Sequence, residues 1–227
     1  MKELETVAKE YGIELSQSQL DAFERYYSLL VEWNNKFNLT AITDRQGVAE
    51  KHFLDSLLGA KHFHGKVCDV GSGAGFPAIP LAVFNPQLSI TMIDSLNKRV
   101  NFLKEVCSCL KIEGTALHLT AEEASAPKQL RERFDTVTAR AVAPMDILPE
   151  LTAPLLKVGG TLVLYKGQPL PEDEIGAKDA TKYGCEYWGK EEFSLPDGSK
   201  RTLYIFHKTK STPSIYPRRG LRKKVGK

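Results

Sequence analysis

The sequence predicts an α/β fold: a mostly parallel open sheet with helices on both faces, preceded by an N-terminal helical cap. Three observations carry this. From Lys66 onward, five apolar runs of strand length alternate with helical patterns. The first run, Val67–Val70, opens onto a turn with glycine at alternate positions, Gly71, Gly73 and Gly75. Ahead of it, residues 1–63 show helical periodicity and no strand pattern.

In chain order, Leu4, Val7, Ala8 and Tyr11 recur at helical spacing until Gly12 stops them. Ser16 is placed to cap a longer helix whose apolar stripe runs Leu20, Phe23, Tyr27, Leu30, Trp33 or Asn34, and Phe37. The stripe breaks at Asn38-Leu39-Thr40. A third helix is expected over 46–61, with Val48, Phe53, Leu54, Leu57 and Leu58 inward. Strands are expected at 67–70, 88–93, 115–119, 134–139 and 161–165, with helices at 77–84, 98–110, 121–132 and 146–156 between them. Right-handed crossovers then bring all the strand C-termini to one edge, where ligands bind in such sheets. Two later runs, 185–193 and 201–207, flank the turn Leu195–Ser199 and read as an antiparallel hairpin.

The chain has 227 residues, and its 42% hydrophobic content suffices for an ordinary core. No run approaches the ~20 apolar residues of a membrane span, and the start is acidic and amphipathic rather than leader-like. Cys68, Cys107, Cys109 and Cys185 have no metal-ligand spacing, so reduced thiols, a cytoplasmic location and no metal are expected. Net charge is +3, but residues 208–227 hold eight Lys or Arg and no acid, leaving the rest at −5. Such a tail is either solvated or a polyanion contact.

The loop spacing constrains the ligand. A dinucleotide fingerprint needs its third glycine where Phe76 stands. The observed G-x-G-x-G, with Asp69 two residues before it, resembles the cofactor loop of S-adenosylmethionine (SAM) methyltransferases; a chance glycine-rich turn is the competing reading. Asp94 ends the second strand, where an acid can accept both hydroxyls of a ribose, or simply cap the turn that follows. Ala121-Glu122 follow the third strand, where an adenine would lie; Glu122 is equally suited to a helix first turn. Arg140 ends the fourth strand and suits a carboxylate or phosphate, or an ordinary salt bridge. Lys166-Gly167 do the same after the fifth strand, or mark a turn. No Asn/Asp-Pro-Pro-Tyr motif for methylating exocyclic amines is present, and Cys107 and Cys109 lie mid-helix, unsuited to attack on a pyrimidine. His52 and Asp55 share a helix face, as a catalytic pair or as a polar tie between cap and sheet.

Taken together, Asn34, Asn38–Ile42, His52-x-x-Asp55-Ser56, Gly75-Phe76-Pro77, Asp94-Ser95 with Lys98-Arg99 and Phe102-Leu103, Arg140–Ala143, Lys166-Gly167 and Tyr216–Arg219 resemble the RsmG (GidB) family of bacterial 16S rRNA methyltransferases. The resemblance covers nearly the whole chain. It implies a SAM-dependent methyltransferase (Rossmann-like) fold and methylation of N7 of one guanine of 16S rRNA, position 527 in the family. It maps cofactor contacts onto Gly71, Phe76, Asp94, Ser95, Leu96, Ala121, Glu122 and Arg140, with Arg140 also the candidate catalytic residue. Ala78 stands where the family usually has a second glycine after the proline, and the tail lacks the family's extra prolines.

Guanine N7 carries a lone pair and no proton, so no general base is required; alignment at ~3–3.5 Å is the main task. N7 is buried in the deep groove of A-form RNA, so an unpaired or extruded guanine is expected. Lys166 and the basic residues Arg218, Arg219, Arg222, Lys223 and Lys224 (with Lys227) would hold phosphates of 16S rRNA, in the small ribosomal subunit or its precursor. Truncation after Ser211 should then weaken RNA binding and its salt dependence without altering SAM affinity. The expected organisation is a helical cap at 1–63, a SAM-methyltransferase core at 64–208 and a basic tail at 209–227, monomeric and without a membrane partner. A SAM enzyme for another substrate, or an RNA-binding module with an inactive pocket, are the alternatives.

Overall fold

The computed structural model describes residues 1–218, 220 and 221. Helix α1 (Lys2–Glu10) stops before Gly12, which adopts φ +70°. Ser16 caps α2 (Gln17–Phe37) through a reciprocal pair: the Gln19 amide donates to the Ser16 hydroxyl, and the Ser16 amide donates to Gln19 Oε1 at 2.8 Å. Asn38 ends the helix in a left-handed conformation. The buried stripe is Leu20, Phe23, Tyr26 and Leu30, so Tyr26 takes the place expected of Tyr27. Steps of three and four both stay on one helix face. Tyr26 is chosen because its hydroxyl donates to the Ala74 carbonyl in the glycine loop.

The third helix of the cap is broken into α3 (Arg45–Val48), a π-helical turn (Ala49–Leu54) and α4 (Asp55–Leu57), followed by a 3-10 turn at Ala60–His62. The five residues expected inward are all buried. A π-helical turn of this kind is frequent where side chains must be re-aimed at a site, and this one carries His52.

The sheet comprises β1 (Lys66–Val70), β2 (Ser89–Asp94), β3 (Gly114–His118), β4 (Phe134–Arg140), β5 (Leu156–Lys166), β6 (Cys185–Ser194) and β7 (Lys200–Lys208), ordered β3-β2-β1-β4-β5-β7-β6. The first five strands are parallel, and β7 runs antiparallel to both its neighbours. Winding reverses between β1 and β4, so the crevice lies beyond Val70 and Arg140.

Helices α5 (Ala78–Phe84) and α6 (Asn97–Leu110) follow the sequence pattern closely. The next two are shorter than expected. Helix α7 is only Ala121–Ala124, because Pro127 cannot continue the hydrogen-bond ladder, and Lys128 and Glu132 adopt positive φ. Helix α8 is Leu148–Thr152, tightening to a 3-10 turn at Ala153–Leu155 around Pro154. An additional helix, α9 (Pro171–Lys178), was not expected, although proline at its first position and the acids Glu172, Asp173 and Glu174 in its first turn are signals for it.

Two hydrophobic clusters sandwich the sheet. One joins α1, α2 and the π-helical turn (Leu4, Phe23, Tyr26, Phe53) to Val67, Met92, Val163 and Leu203. The other holds Cys68, Val70, Val137, Leu148, Leu151 and Tyr204. Successive β1 residues thus point to opposite clusters, as a strand covered on both faces requires. The N-terminal helices thereby complete one face of the sheet.

Candidate active site

The glycine turn runs from β1 into α5. The Gly71 and Ser72 amides donate to the Ile93 carbonyl at 2.8 and 3.1 Å, fastening the turn to the end of β2. Gly71 and Gly75 are required by contact: a Cβ would meet Val142 at 2.7 Å and the Ile79 side chain at 2.5 Å, respectively. Gly73 differs. At φ +58°, an added Cβ would find no atom nearer than 3.9 Å, so its bare backbone faces open space.

Asp94, 2% exposed, accepts from the Gly73 amide on Oδ2 and the Leu96 amide on Oδ1, each at 2.9 Å, with Arg99 at 3.5 Å. Its turn role and its place beside the loop therefore coexist. The Ser95 carbonyl accepts from His118 Nε2 at 3.0 Å, and the Leu96 side chain is exposed. Thr120 caps α7 reciprocally with Glu123, fixing the fully buried Ala121. Oε2 of Glu122 is buried with no hydrogen-bond partner among the described residues. Beneath the turn, sequence reasoning did not single out Asp69 as functional. Its side chain is buried, both carboxyl oxygens lack hydrogen-bond partners among the described residues, and burial pushes its pKa up to about 7.

Phe76 points into the molecule. Its ring stacks on His52 at 4.4 Å between centroids, and the Arg140 guanidinium carbon lies 5.0 Å over it. Arg140 donates to Asp55 Oδ2 at 2.8 Å, and Arg201 Nε reaches the same oxygen at 3.1 Å. Oδ1 of Asp55 has no partner among the described residues. His52 Nε2 pairs with Thr40 Oγ1 at 2.8 Å, while the Thr40 amide donates to Asn34 Oδ1. Burial, then the Arg140 charge, lower the His52 pKa to about 3, so the imidazole is neutral at pH 7. The geometry favours His52 and Asp55 as the tie between cap and sheet. Next to Arg140, Ala141 adopts φ +57°, a strained conformation for a residue with a Cβ, which turns the chain toward Gly71 through Val142.

These groups surround a cleft of about 380 Å³ lined by Lys51, His52, Asp55, Arg140, Lys166 and Arg201 among others. Lys166 also pairs with buried Asp173 at 3.3 Å. Lys51 and Arg201 were missed in the sequence. Arg201 reaches the cleft only because β7 pairs with β5 and β6, a register that linear pattern does not reveal.

The sheet edge therefore gathers Gly71, Asp94, Ser95, Leu96, Ala121, Glu122, Arg140 and Lys166. Arg218 is elsewhere: its guanidinium and its amide bind the fully buried Glu150 of α8, at 2.6 to 3.1 Å. Thr212 donates its amide to Glu132 and its hydroxyl to the Tyr183 carbonyl, and Arg131 donates to the carbonyls of Thr212, Pro213 and Tyr216. Truncation after Ser211 would strip these partners from the body, so it is not a clean test of RNA contact. Arg219, Arg222, Lys223, Lys224 and Lys227 lie outside the described residues.

Comparison with known proteins identifies the family and the fold. A Ribosomal RNA small subunit methyltransferase G from an Exiguobacterium species is 48% identical over 92% of this chain and 90% of its own. Its counterpart from Geobacillus thermodenitrificans is 46% identical over 96% and 94%. Among solved structures, P. horikoshii TYW2 in complex with MeSAdo shares the fold, with TM-score 0.53 and 16% identity over 68% of this chain and 61% of that one. The family pattern described as "GidB: rRNA small subunit methyltransferase G" matches residues 19–199, and the chain belongs to that family.

Proposed function

We propose that this chain transfers the methyl group of S-adenosylmethionine to N7 of one guanine of 16S rRNA. One arrangement carries the reading: the open backbone at Gly73, fastened to Asp94, follows β1, and the neighbouring β4 ends in Arg140, which walls a cleft with Arg201, Lys51 and Lys166. The residues present suit the cofactor. Gly73 leaves room where a Cβ would intrude, and orphaned acceptors, Asp69 beneath the loop and Glu122 Oε2 after β3, suit a ligand rich in donors. Bound there, S-adenosylmethionine would supply a methyl carbon made electrophilic by sulfonium.

The chain's own residues then position and hold charge. Gly71, Phe76, Asp94, Ser95, Leu96, Ala121, Glu122 and Arg140 form the proposed cofactor contacts, Phe76 acting through its stack beneath Arg140. His52 is half-buried and neutral but committed to Thr40, and acid–base work from it is not needed for a lone-pair nucleophile. The cleft cations would bind rRNA phosphates, in keeping with a basic tail of which Arg218 serves the body instead. Among the described residues no helix is long and apolar enough to cross a membrane.

The test combines binding and product mapping. Asp94→Ala should raise the dissociation constant for S-adenosylmethionine at least ~10-fold, about 1.4 kcal/mol, in a protein that is still folded though less stable. Mass mapping of rRNA from a strain lacking the gene should show one guanine without its N7 methyl, restored by the wild-type chain. Transfer to small metabolites alone would favour another substrate, and a folded chain that does not bind the cofactor would favour an RNA-binding role.

A further inference from the structure

Beside the arginine-walled cleft lies a second groove of about 720 Å³, lined by Val142, Pro144, Met145, Leu170 and Ile175. The two hollows share Ala141, Ala143 and Lys166. Leu170 is 47% exposed and Ile175 68%, although both are large aliphatic side chains. The position of α9 explains the exposure. Gly176 sits flush on the Met145-Asp146 backbone, where a Cβ would meet backbone atoms at 2.8 Å, so its neighbour Ile175 is turned outward.

Charge changes sign across Lys166. On one side stand Lys51, Arg140 and Arg201; on the other the groove is rimmed by Asp146, Glu172 and Asp179. Asp179 is paired with Lys182. Asp146 and Glu172 are exposed, and among the described residues neither has a cationic partner. Such a rim repels RNA phosphates, so the groove is not a continuation of an RNA track. A protein already seated on rRNA has the opposite character, since it must carry cations to neutralise phosphates.

We propose that this groove seats a lysine- or arginine-rich protein segment, anchored by an apolar side chain between Leu170 and Ile175 and belonging to a protein bound to the rRNA beside the target guanine. The inference rests on the rRNA methyltransferase reading. It makes the preferred substrate a ribonucleoprotein particle: the cleft engages the RNA while the groove engages its protein neighbour. An aliphatic anchor inside a complementary charged rim is how compact interfaces combine affinity with selection of partner.

The experiment uses small ribosomal subunits, and protein-free 16S rRNA extracted from them, both from a strain lacking the gene. The double variant Asp146→Lys/Glu172→Lys should bind the subunits at least ~10-fold more weakly than wild type, while its affinity for protein-free rRNA stays the same or rises. Ile175→Ser should weaken subunit binding about threefold with no change on protein-free rRNA. A photo-crosslinker placed at position 175 should yield a protease-sensitive adduct with the purified subunits. Unchanged or tighter binding of the charge-reversed variant to subunits, or an adduct to RNA alone, overturns the proposal. Wild-type methyl incorporation is scored separately on both substrates: its absence from both defeats the methyltransferase reading, whereas its presence on protein-free rRNA alone, or on subunits with an unaffected variant, defeats only the groove.

Discussion

Two arginines that the sequence offers as anion binders, Arg140 and Arg218, each meet a buried carboxylate, and the two sites differ in what they leave over. At the tail, both oxygens of Glu150 are saturated, by the Arg218 guanidinium and amide and by the Tyr183 hydroxyl at 3.2 Å. Burial alone would raise the Glu150 pKa; the Arg218 contacts outweigh it and hold it below its ordinary value. At the cleft, Asp55 shares one oxygen between Arg140 and Arg201 and leaves the other without a partner among the described residues. Two cations there divide one carboxylate, so positive charge remains for a ligand. The same residue type thus closes one part of the molecule and keeps another receptive; the count of partners decides which.

The largest effect expected from breaking this contrast is at the cleft. Arg140→Ala should lower kcat/KM at least ~100-fold, near 2.7 kcal/mol, if this half-buried cation holds the role proposed for it. The fold should survive, because Arg201 still neutralises Asp55. Near-wild-type turnover would reduce Arg140 to a structural pair.

Arg218→Ala should do the reverse. It leaves Glu150 buried and without its cation, so stability should fall measurably. Denaturant titration would measure this, with turnover per folded molecule retained. A loss of turnover without a loss of stability would move Arg218 to the substrate side.

The smallest effect separates the two networks by pH. His52 has a folded pKa of about 3, below its unfolded value near 6.5, so the unfolded chain binds the extra proton first as pH falls. Its contribution is complete above pH 6.5 and is lost on acidification toward pH 3, by about 1 kcal/mol between pH 7 and 5.5. Glu150, with its lowered pKa, contributes above its unfolded value near 4.5 and loses that contribution as pH falls below it. His52→Phe, which keeps the ring stack on Phe76, should flatten the pH 7 to 5.5 segment alone. An unchanged slope there would mean that another group titrates.

The alternation of strands and helices, the glycine turn and its acid Asp94 were all legible in the sequence. They depend on local rules: period-2 and period-3.6 burial, glycine where φ is positive, and acids at strand ends. The asymmetry between Gly73, which is open, and Gly71 and Gly75, which are packed against Val142 and Ile79, was not. The lengths of α7 and α8 were also missed, although the prolines that shorten them stand in the sequence.

By itself, then, the sequence determined the sheet, the place of its ligand edge, the likeness that names the family and those residues at that edge that stand at strand ends, but not Lys51 or Arg201. Only the tertiary structure decided which charges are free to act there. Whether an arginine binds a ligand or closes a core depends on carboxylates far away in the chain: Asp55 lies 85 positions from Arg140 and Glu150 lies 68 from Arg218. Register and burial create those pairings. Electrostatic capacity belongs to the neighbourhood, and no linear spacing contains the neighbourhood.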